Sequence, residues 1–236
     1  MARQVRAEAT RRKILDAAIE VFGDVGYAAA GWNTIIERTG MTKGALYHHF
    51  DSKEALAANI IEEGSYTLLS AFRNVGGLSS PGLENLLHGT FTVVELLSSD
   101  RMARAAAQLA LALGGFNPTA SSFYANLIRE AAHEARRAIK EGDLRSEIDP
   151  DVFSASIIGA ICGTQLVANA IWSHDKIGKV IGDPTARMHQ IWNLLLPGVV
   201  SKASLPYFEQ FLYREETRRA AAWASRDEAA TEPEIN

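Results

Sequence analysis

The residues best equipped for chemistry in this sequence lie close together, between Thr42 and Lys53. Leu46 and Phe50 stand four residues apart, which puts both on the inward face of one helix. The opposite face then presents side chains that can meet a nucleic acid: Thr42, Lys43, Gly44, Tyr47 and His48. A lysine at the start of such a helix can reach a phosphate or a guanine edge, and a tyrosine can donate to a phosphate or touch a thymine methyl group. Gly44 and Ala45 are small enough for the backbone to approach DNA closely, so the segment predicts a DNA recognition helix.

Two earlier helices are predicted to position this one. Apolar residues recur every three or four positions from Ile14 to Val25, and Gly26 can take the left-handed conformation that ends a helix. A short second helix spans Trp32 to Thr39 and ends at Gly40, where a tight turn favours positive φ. Thr42 is a good N-cap for the third helix. This spacing indicates a helix-turn-helix, and the alternative is a helical pair used only for packing.

The rest of the chain is predicted to be helical, which makes the fold class all-α. A fourth helix follows Ser52, and further helices are expected at about 83–97, 101–113, 122–141, from Pro150 onward, at 185–197 and at 204–222. Breaks rich in Gly, Ser and Pro fall at 76–82, 114–122 and 178–184. We expect a DNA-binding domain at 1–52, a linking helix at 53–74, a helical domain for ligand binding and dimerisation at 75–222, and a disordered tail at 223–236.

Charge and composition limit where a nucleic acid can bind. The 236 residues carry a net charge of −4, so the chain as a whole is not a basic binder. Its first 13 residues are basic, however, and Arg3 and Arg6 are expected to contact DNA from this arm, the alternative being a solvated tail. A single cysteine, Cys162, fits a reducing cytoplasm, and we interpret it as a buried inert thiol. Residues 152–173 carry no charge, and their polar content favours a buried helix or a helix–helix interface over a membrane span.

Catalysis has little support in the sequence. The six histidines are scattered apart from the pair at 48 and 49, and no metal-ligand spacing, phosphate loop or nucleophile elbow occurs. We therefore predict no cofactor and no metal. An enzyme, or a helical interaction protein without DNA binding, is the alternative from a different class.

The segment "TGMTKGALYHHFDSKEALAANII" closely resembles the recognition-helix signature of TetR-family repressors, including Lys53 and Leu56. The opening "ARQVRAEATRRKILDAAIEVFGDVGY" resembles the same family, so the likeness covers residues 3–67. It implies that a homodimer binds double-stranded operator DNA, that a small-molecule effector releases it, and that Lys53 joins the DNA contacts. No membrane partner is implied.

The start "MARQxRAExTR", the length and "EIDPD…GTQLVANA" are similar to the γ-butyrolactone receptor branch of that family. That branch implies repression released by a small autoregulator, whereas the broader family also allows an unrelated drug or metabolite. The sequence departs from the branch where Leu127 and Gly64 replace an expected Trp and Gln. It departs from the family as a whole where Ala30 and Gly31 replace the Thr or Ser that usually enters the second helix. A butenolide or furan effector is therefore considered beside a butyrolactone.

A ligand pocket is predicted from polar and aromatic residues placed in apolar helices. For each residue alone, an interhelical hydrogen bond or core packing is the alternative. The candidates are Tyr66, His88, Phe91, Gln108, Tyr124, Leu127, Thr164, Gln165 and Trp172.

Overall fold

The computed structural model describes residues 2–74, 80–171 and 183–231, with side chains described at 4–74, 80–168 and 183–218. Within these ranges the regular structure is helical, without a β-strand, and Leu144 and Val200 form an isolated antiparallel bridge. The all-α prediction is confirmed. The helices are α1 (Ala2–Ala29), α2 (Trp32–Thr39), α3 (Lys43–His49), α4 (Lys53–Asn74), α5 (Gly82–Ser99), α6 (Arg101–Leu113), α7 (Pro118–Glu141), α8 (Pro150–Ile171), α9 (Pro184–Val199) and α10 (Leu205–Thr231).

Contacts between the helices divide the chain into two compact units. The first contains the residues up to Phe72 together with Glu95–Ile128, and the second contains Arg73–Val94 together with the chain from Arg129 onward. The division differs from the boundary expected near residue 74, because α6 and the first half of α7 pack with α1–α4.

The first unit is built on the apolar face that the spacing in α1 predicts. Ile14, Leu15, Ala18 and Val21 are almost completely buried, and α3 and α4 contribute Leu46 and Ile60 to the same core. Gly26 was expected to end the helix in the left-handed helical conformation, but it has φ of 77° and ψ of 158°, outside that region, and it kinks α1, which continues to Ala29.

In the second unit, Trp192 anchors the core. Its ring is fully buried, its Nε1 donates a 2.9 Å hydrogen bond to the Thr90 hydroxyl, and Phe153 lies edge-on to it. A buried indole N–H needs such an acceptor, so Thr90 allows the tryptophan to lie in the core.

Three helix ends differ from the predicted ones. α7 begins at Pro118 rather than near 122, because the Asn117 side chain accepts the Ala120 N–H at 3.1 Å and proline suits a first turn. α9 continues through Pro197 to Val199, and the Arg145 guanidinium binds the carbonyl oxygens of Pro197 and Val200.

α10 extends beyond the predicted end at 222, so the part of the expected tail up to Thr231 is helical. The expected breaks at 76–82 and 178–184 lie mostly outside the described residues.

α8 is less buried than the sequence predicted. By length and composition Pro150–Ala168 could span a membrane, a test that helices of soluble proteins also pass, and 28% of it is buried within the chain. Within the single chain, Pro150–Ala168 is therefore not a fully buried helix. Cys162, expected to be buried, is half-buried.

Candidate nucleic-acid interface

The turn between α2 and α3 is fixed by its own hydrogen bonds. Gly40 has φ of 63° and its N–H donates to the Glu37 carbonyl. The Thr39 hydroxyl donates to the Ile36 carbonyl at 2.7 Å and accepts the Met41 N–H at 3.1 Å. These bonds satisfy backbone groups that would otherwise be left unpaired at the helix end, so α3 starts from a defined position.

The register of α3 is the one expected from the sequence. Leu46 is 0% and Phe50 is 3% exposed, so both point into the core of the first unit. The Thr42 side chain accepts the Ala45 N–H at 3.3 Å and caps the helix. The predicted outer residues are all exposed, while Ala45 is half-buried: Thr42, Lys43, Gly44, Tyr47 and His48.

This outer face carries unneutralised positive charge. Among the residues that the structure describes, no carboxylate lies within ion-pair distance of Lys43, whose Nζ is 5.8 Å from the centroid of the Tyr47 ring. A methyl group added at Gly44 would meet nothing within 4 Å. The face is therefore open to a polyanion, and none of the described residues has to be displaced first.

The Lys53 ammonium already has hydrogen-bond partners within the chain. Its Nζ donates to the Tyr27 and Ala30 carbonyl oxygens, both at 3.0 Å, and lies 4.4 Å from the centroid of the Tyr27 ring. The Lys53 ammonium thus satisfies carbonyl groups at the end of α1. An ammonium has three N–H donors, so one remains for the predicted DNA contact.

The basic N-terminal segment is helical rather than an extended arm, since α1 begins at Ala2. Arg6 is exposed on it, and the Arg3 side chain lies outside the described residues. Arg11 has a structural role, because its guanidinium binds Glu63 at 2.5 Å and Asn59 at 2.8 Å and ties α1 to α4.

Two residues of the first unit gain a role that the sequence did not suggest. Glu20 on α1 binds Arg38 of α2 and Arg101 of α6, and these two guanidinium groups hold the pKa of Glu20 below its ordinary value. Trp32, the first residue of α2, lies against Tyr47, with ring centroids 5.6 Å apart. The sequence feature that could have indicated the Trp32–Tyr47 contact was a tryptophan at the first position of the helix that precedes the recognition helix.

Gly64, noted above only as a departure, marks a close crossing of α4 and α6. A Cβ at this position would lie 2.3 Å from the Ala106 Cβ and 2.9 Å from the Met102 carbonyl oxygen. The glycine is therefore required by packing, independently of any ligand.

The ligand candidates of the first unit differ in their burial. Tyr66 is 75% exposed, and Gln108 is exposed because the buried face of α6 is formed by Met102, Ala106 and Leu109. The interpretation of Gln108 as an amide enclosed by apolar residues was wrong. The Tyr124 hydroxyl donates to the Ala107 carbonyl at 3.0 Å, and Leu127 is buried.

In the second unit, two of the ligand candidates have structural partners. His88 Nδ1 lies 3.1 Å from a Glu215 carboxylate oxygen and its ring meets Phe211 edge-on, while Phe91 is buried in the core. Thr164 and Gln165 are half-buried on α8, and Trp172 lies outside the described residues. A ligand role for these residues stays a prediction.

Models of known families match both parts of the chain. Residues 14–60 match the model of bacterial regulatory proteins of the TetR family, and residues 80–201 match that of the tetracyclin repressor-like C-terminal domain. The chain belongs to the TetR family. Its match to the first model includes the whole helix-turn-helix described above.

Individual relatives point to one branch of the TetR family. The chain is 35% identical over 202 residues to the A-factor receptor protein of Streptomyces griseus, covering 84% of this chain and 67% of that protein. The crystal structure of a γ-butyrolactone receptor, an ArpA-like protein, has a TM-score of 0.72 and 26% identity, covering 91% and 99% of the two chains. CprB from Streptomyces coelicolor, solved with its biological operator sequence, has a TM-score of 0.72 and 28% identity over 90% and 99%.

Proposed function

We propose that this protein is a ligand-responsive transcriptional repressor that binds a pseudo-palindromic operator as a homodimer and is released by a small autoregulator of the butyrolactone, butenolide or furan type. The observation that carries the proposal is the open outer face of α3. As a bacterial regulator without enzymatic activity, it would act in the cytoplasm, where operator DNA is found.

The DNA contacts follow from the chemistry of that face. Lys43 would meet a phosphate or a guanine edge, Tyr47 a phosphate or a thymine methyl, and the absence of a side chain at Gly44 would let the helix enter the major groove deeply. Thr42, Ala45 and His48 would line the same surface. Lys53 and the basic residues Arg3 and Arg6 would add contacts to the DNA backbone.

Dimerisation is supported by the exposed face of α8. Val152, Ala155, Gly159, Gly163 and Leu166 follow each other at three- or four-residue spacing, without a charge among them, and they are exposed or half-buried in the single chain. Small residues at the middle of the stripe let two backbones approach closely. Leu194 on α9, which packs against α8 within the second unit, is a further large apolar side chain that is 82% exposed.

Two copies would place two recognition helices on one operator. One such helix contacts only a few base pairs, so specific binding requires half-sites about 10 base pairs apart, or a multiple of that spacing. We propose residues 1–52 as the DNA-binding part, 53–74 as the linking helix and 75–222 as the part that binds the effector and dimerises. The effector would have to prefer the released conformation by about 5.5 kcal/mol for a near-complete switch.

Operator binding is tested with a duplex that the wild-type protein has enriched from a random-sequence library. We expect Lys43→Ala and Tyr47→Ala each to cost about 1–3 kcal/mol of binding free energy, measured by fluorescence anisotropy, with the thermal unfolding transition unchanged. Lys202→Ala and Tyr213→Ala are matched controls, because both side chains are exposed in the second unit. Equal affinities for all four variants would reject α3 as the DNA-binding element.

Dimerisation is tested with two leucines of similar exposure. Leu166 on α8 is 57% exposed and Leu111 on α6 is 62% exposed. Leu166→Arg should give a monomer in light scattering, since two buried guanidinium groups would face each other without a partner. Leu111→Arg should leave the dimer intact, and a dimeric Leu166→Arg variant would contradict the α8 interface.

Effector binding is tested by titrating the preformed complex with a synthetic γ-butyrolactone, a butenolide and a furan in parallel. Release by one of them, with a matching mass increase in native mass spectrometry, identifies the chemical class. A complex that withstands all three at saturating concentration would reject the autoregulator part of the proposal and leave the DNA-binding part standing.

A further inference from the structure

Tyr47 has an aromatic neighbour on a different helix. Trp32, the first residue of α2, has its ring centroid 5.6 Å from that of Tyr47, with the ring planes inclined at 57°. This tilted arrangement is one of the favourable geometries for two aromatic rings. Because Tyr47 is 43% exposed, Trp32 lies at the edge of the outer face of α3 and not deep in the core.

Lys43 is close to the same tyrosine. Its Nζ lies 5.8 Å from the centroid of the Tyr47 ring, within the range of a cation–π interaction. Trp32, Tyr47 and Lys43 therefore form a contiguous group that contains two of the predicted DNA contacts. An isolated tyrosine on a helix surface would sample several rotamers and lose that freedom on binding, whereas a ring held from the side has less to lose.

The indole nitrogen of Trp32 separates two ways in which this residue could act. Nε1 is buried and has no hydrogen-bond partner among the described residues. A buried N–H does not reach a DNA phosphate without movement of the side chain. The contribution of Trp32 to the site is therefore made through its ring.

We infer that Trp32 is a positioning residue for DNA recognition: it holds the Tyr47 ring on the outer face of α3, so that the hydroxyl and the neighbouring Lys43 are presented to the operator together. The inference rests on the proposed function, because it concerns the same surface. It extends that function to α2, from which no DNA-recognition residue had been predicted.

The test is a double-mutant cycle between positions 32 and 47, measured as affinity for the enriched duplex. Trp32→Leu retains apolar packing and removes the aromatic ring, so the variant should fold and bind about two- to tenfold more weakly, the range that an aromatic pair contributes. Trp32→Phe should restore most of the affinity, since phenylalanine keeps a ring and lacks the N–H. In a Tyr47→Ala background, Trp32→Leu should have no further effect.

Each other result overturns the inference in a distinguishable way. Wild-type affinity for Trp32→Leu shows that the ring contact is irrelevant to binding. An equal loss in the Tyr47 and Tyr47→Ala backgrounds shows that Trp32 acts through general packing of α2. Weak binding by Trp32→Phe assigns the effect to the N–H. Failure of the wild-type protein to enrich any duplex rejects the proposed function itself, before any variant is made.

Discussion

Replacing Gly64 by alanine would place a methyl group where α4 crosses α6. The new Cβ would lie 2.3 Å from the Ala106 Cβ, 2.9 Å from the Met102 carbonyl oxygen and 3.3 Å from the Ala103 Cα. Two carbon atoms in contact need about 3.5 Å. Since two of the three neighbours are backbone atoms, a side-chain rotation cannot relieve the clash, and the helices must separate.

The expected cost follows from two opposing effects. Forcing an extra carbon into a packed core costs about 1–3 kcal/mol, and rigid backbone neighbours place this substitution at the upper end. Alanine in place of glycine inside a helix returns about 1 kcal/mol. The net expectation is a loss of about 2 kcal/mol of unfolding free energy, which for a chain of this size lowers the Tm by about 4–8 °C.

Gly23→Ala is the matched control. Gly23 is also within a helix of the first unit, and a Cβ there would meet nothing within 4 Å. This variant should be as stable as the wild type or more stable by up to about 1 kcal/mol. Thermal unfolding followed by circular dichroism measures both proteins, and a Gly64→Ala variant at least as stable as Gly23→Ala would refute the tight crossing of α4 and α6.

Three further predictions concern charge. Arg38 and Arg101 lower the pKa of Glu20 from 4.5, so its stabilising effect is present at neutral pH and is lost as the pH falls through the lowered pKa. Glu20→Gln should therefore lower the Tm at pH 7 but not at a pH where Glu20 is protonated, and equal losses at both would disprove this. Burial and the nearby Glu54 carboxylate raise the pKa of Tyr27 to about 12, so its contribution is present below pH 10 and is lost between pH 10 and 12. Tyr27→Phe should lose less unfolding free energy than the wild type as the pH rises through this interval, and equal losses in the two proteins would contradict the assignment. Finally, the logarithm of operator affinity should fall linearly with the logarithm of salt concentration, by about 0.9 for each phosphate contacted, and a flat response would exclude phosphate-led binding.

The helix-turn-helix was predictable because its signals are local. Gly40 and Thr42 mark a helix end and a helix start through preferences of their own backbones and side chains, and Leu46 and Phe50 set the register by their spacing alone. No distant residue has to be known for any of these inferences. The exposed face of α3 followed directly from that register.

Side-chain partners far apart in the sequence were not predictable in this way. Lys53 was expected to face DNA, yet its Nζ binds carbonyl groups 23 and 26 residues earlier in the chain. Arg11 was placed in a basic arm, yet it binds Asn59 and Glu63 on α4. A long cationic side chain can reach many partners, and only the packing of α1 against α4 selects one of them.

The recognition helix was thus determined by the sequence itself, since its caps, turn and apolar spacing act within a few residues of one another. The tertiary structure alone decided how the Tyr47 ring is held and why position 64 is a glycine. Both depend on the distance between two helices, and that distance is set by the whole packed core rather than by any one segment. The same reason explains the failure at Gln108, where helical periodicity identified an apolar helix but not which of its faces the first unit would bury.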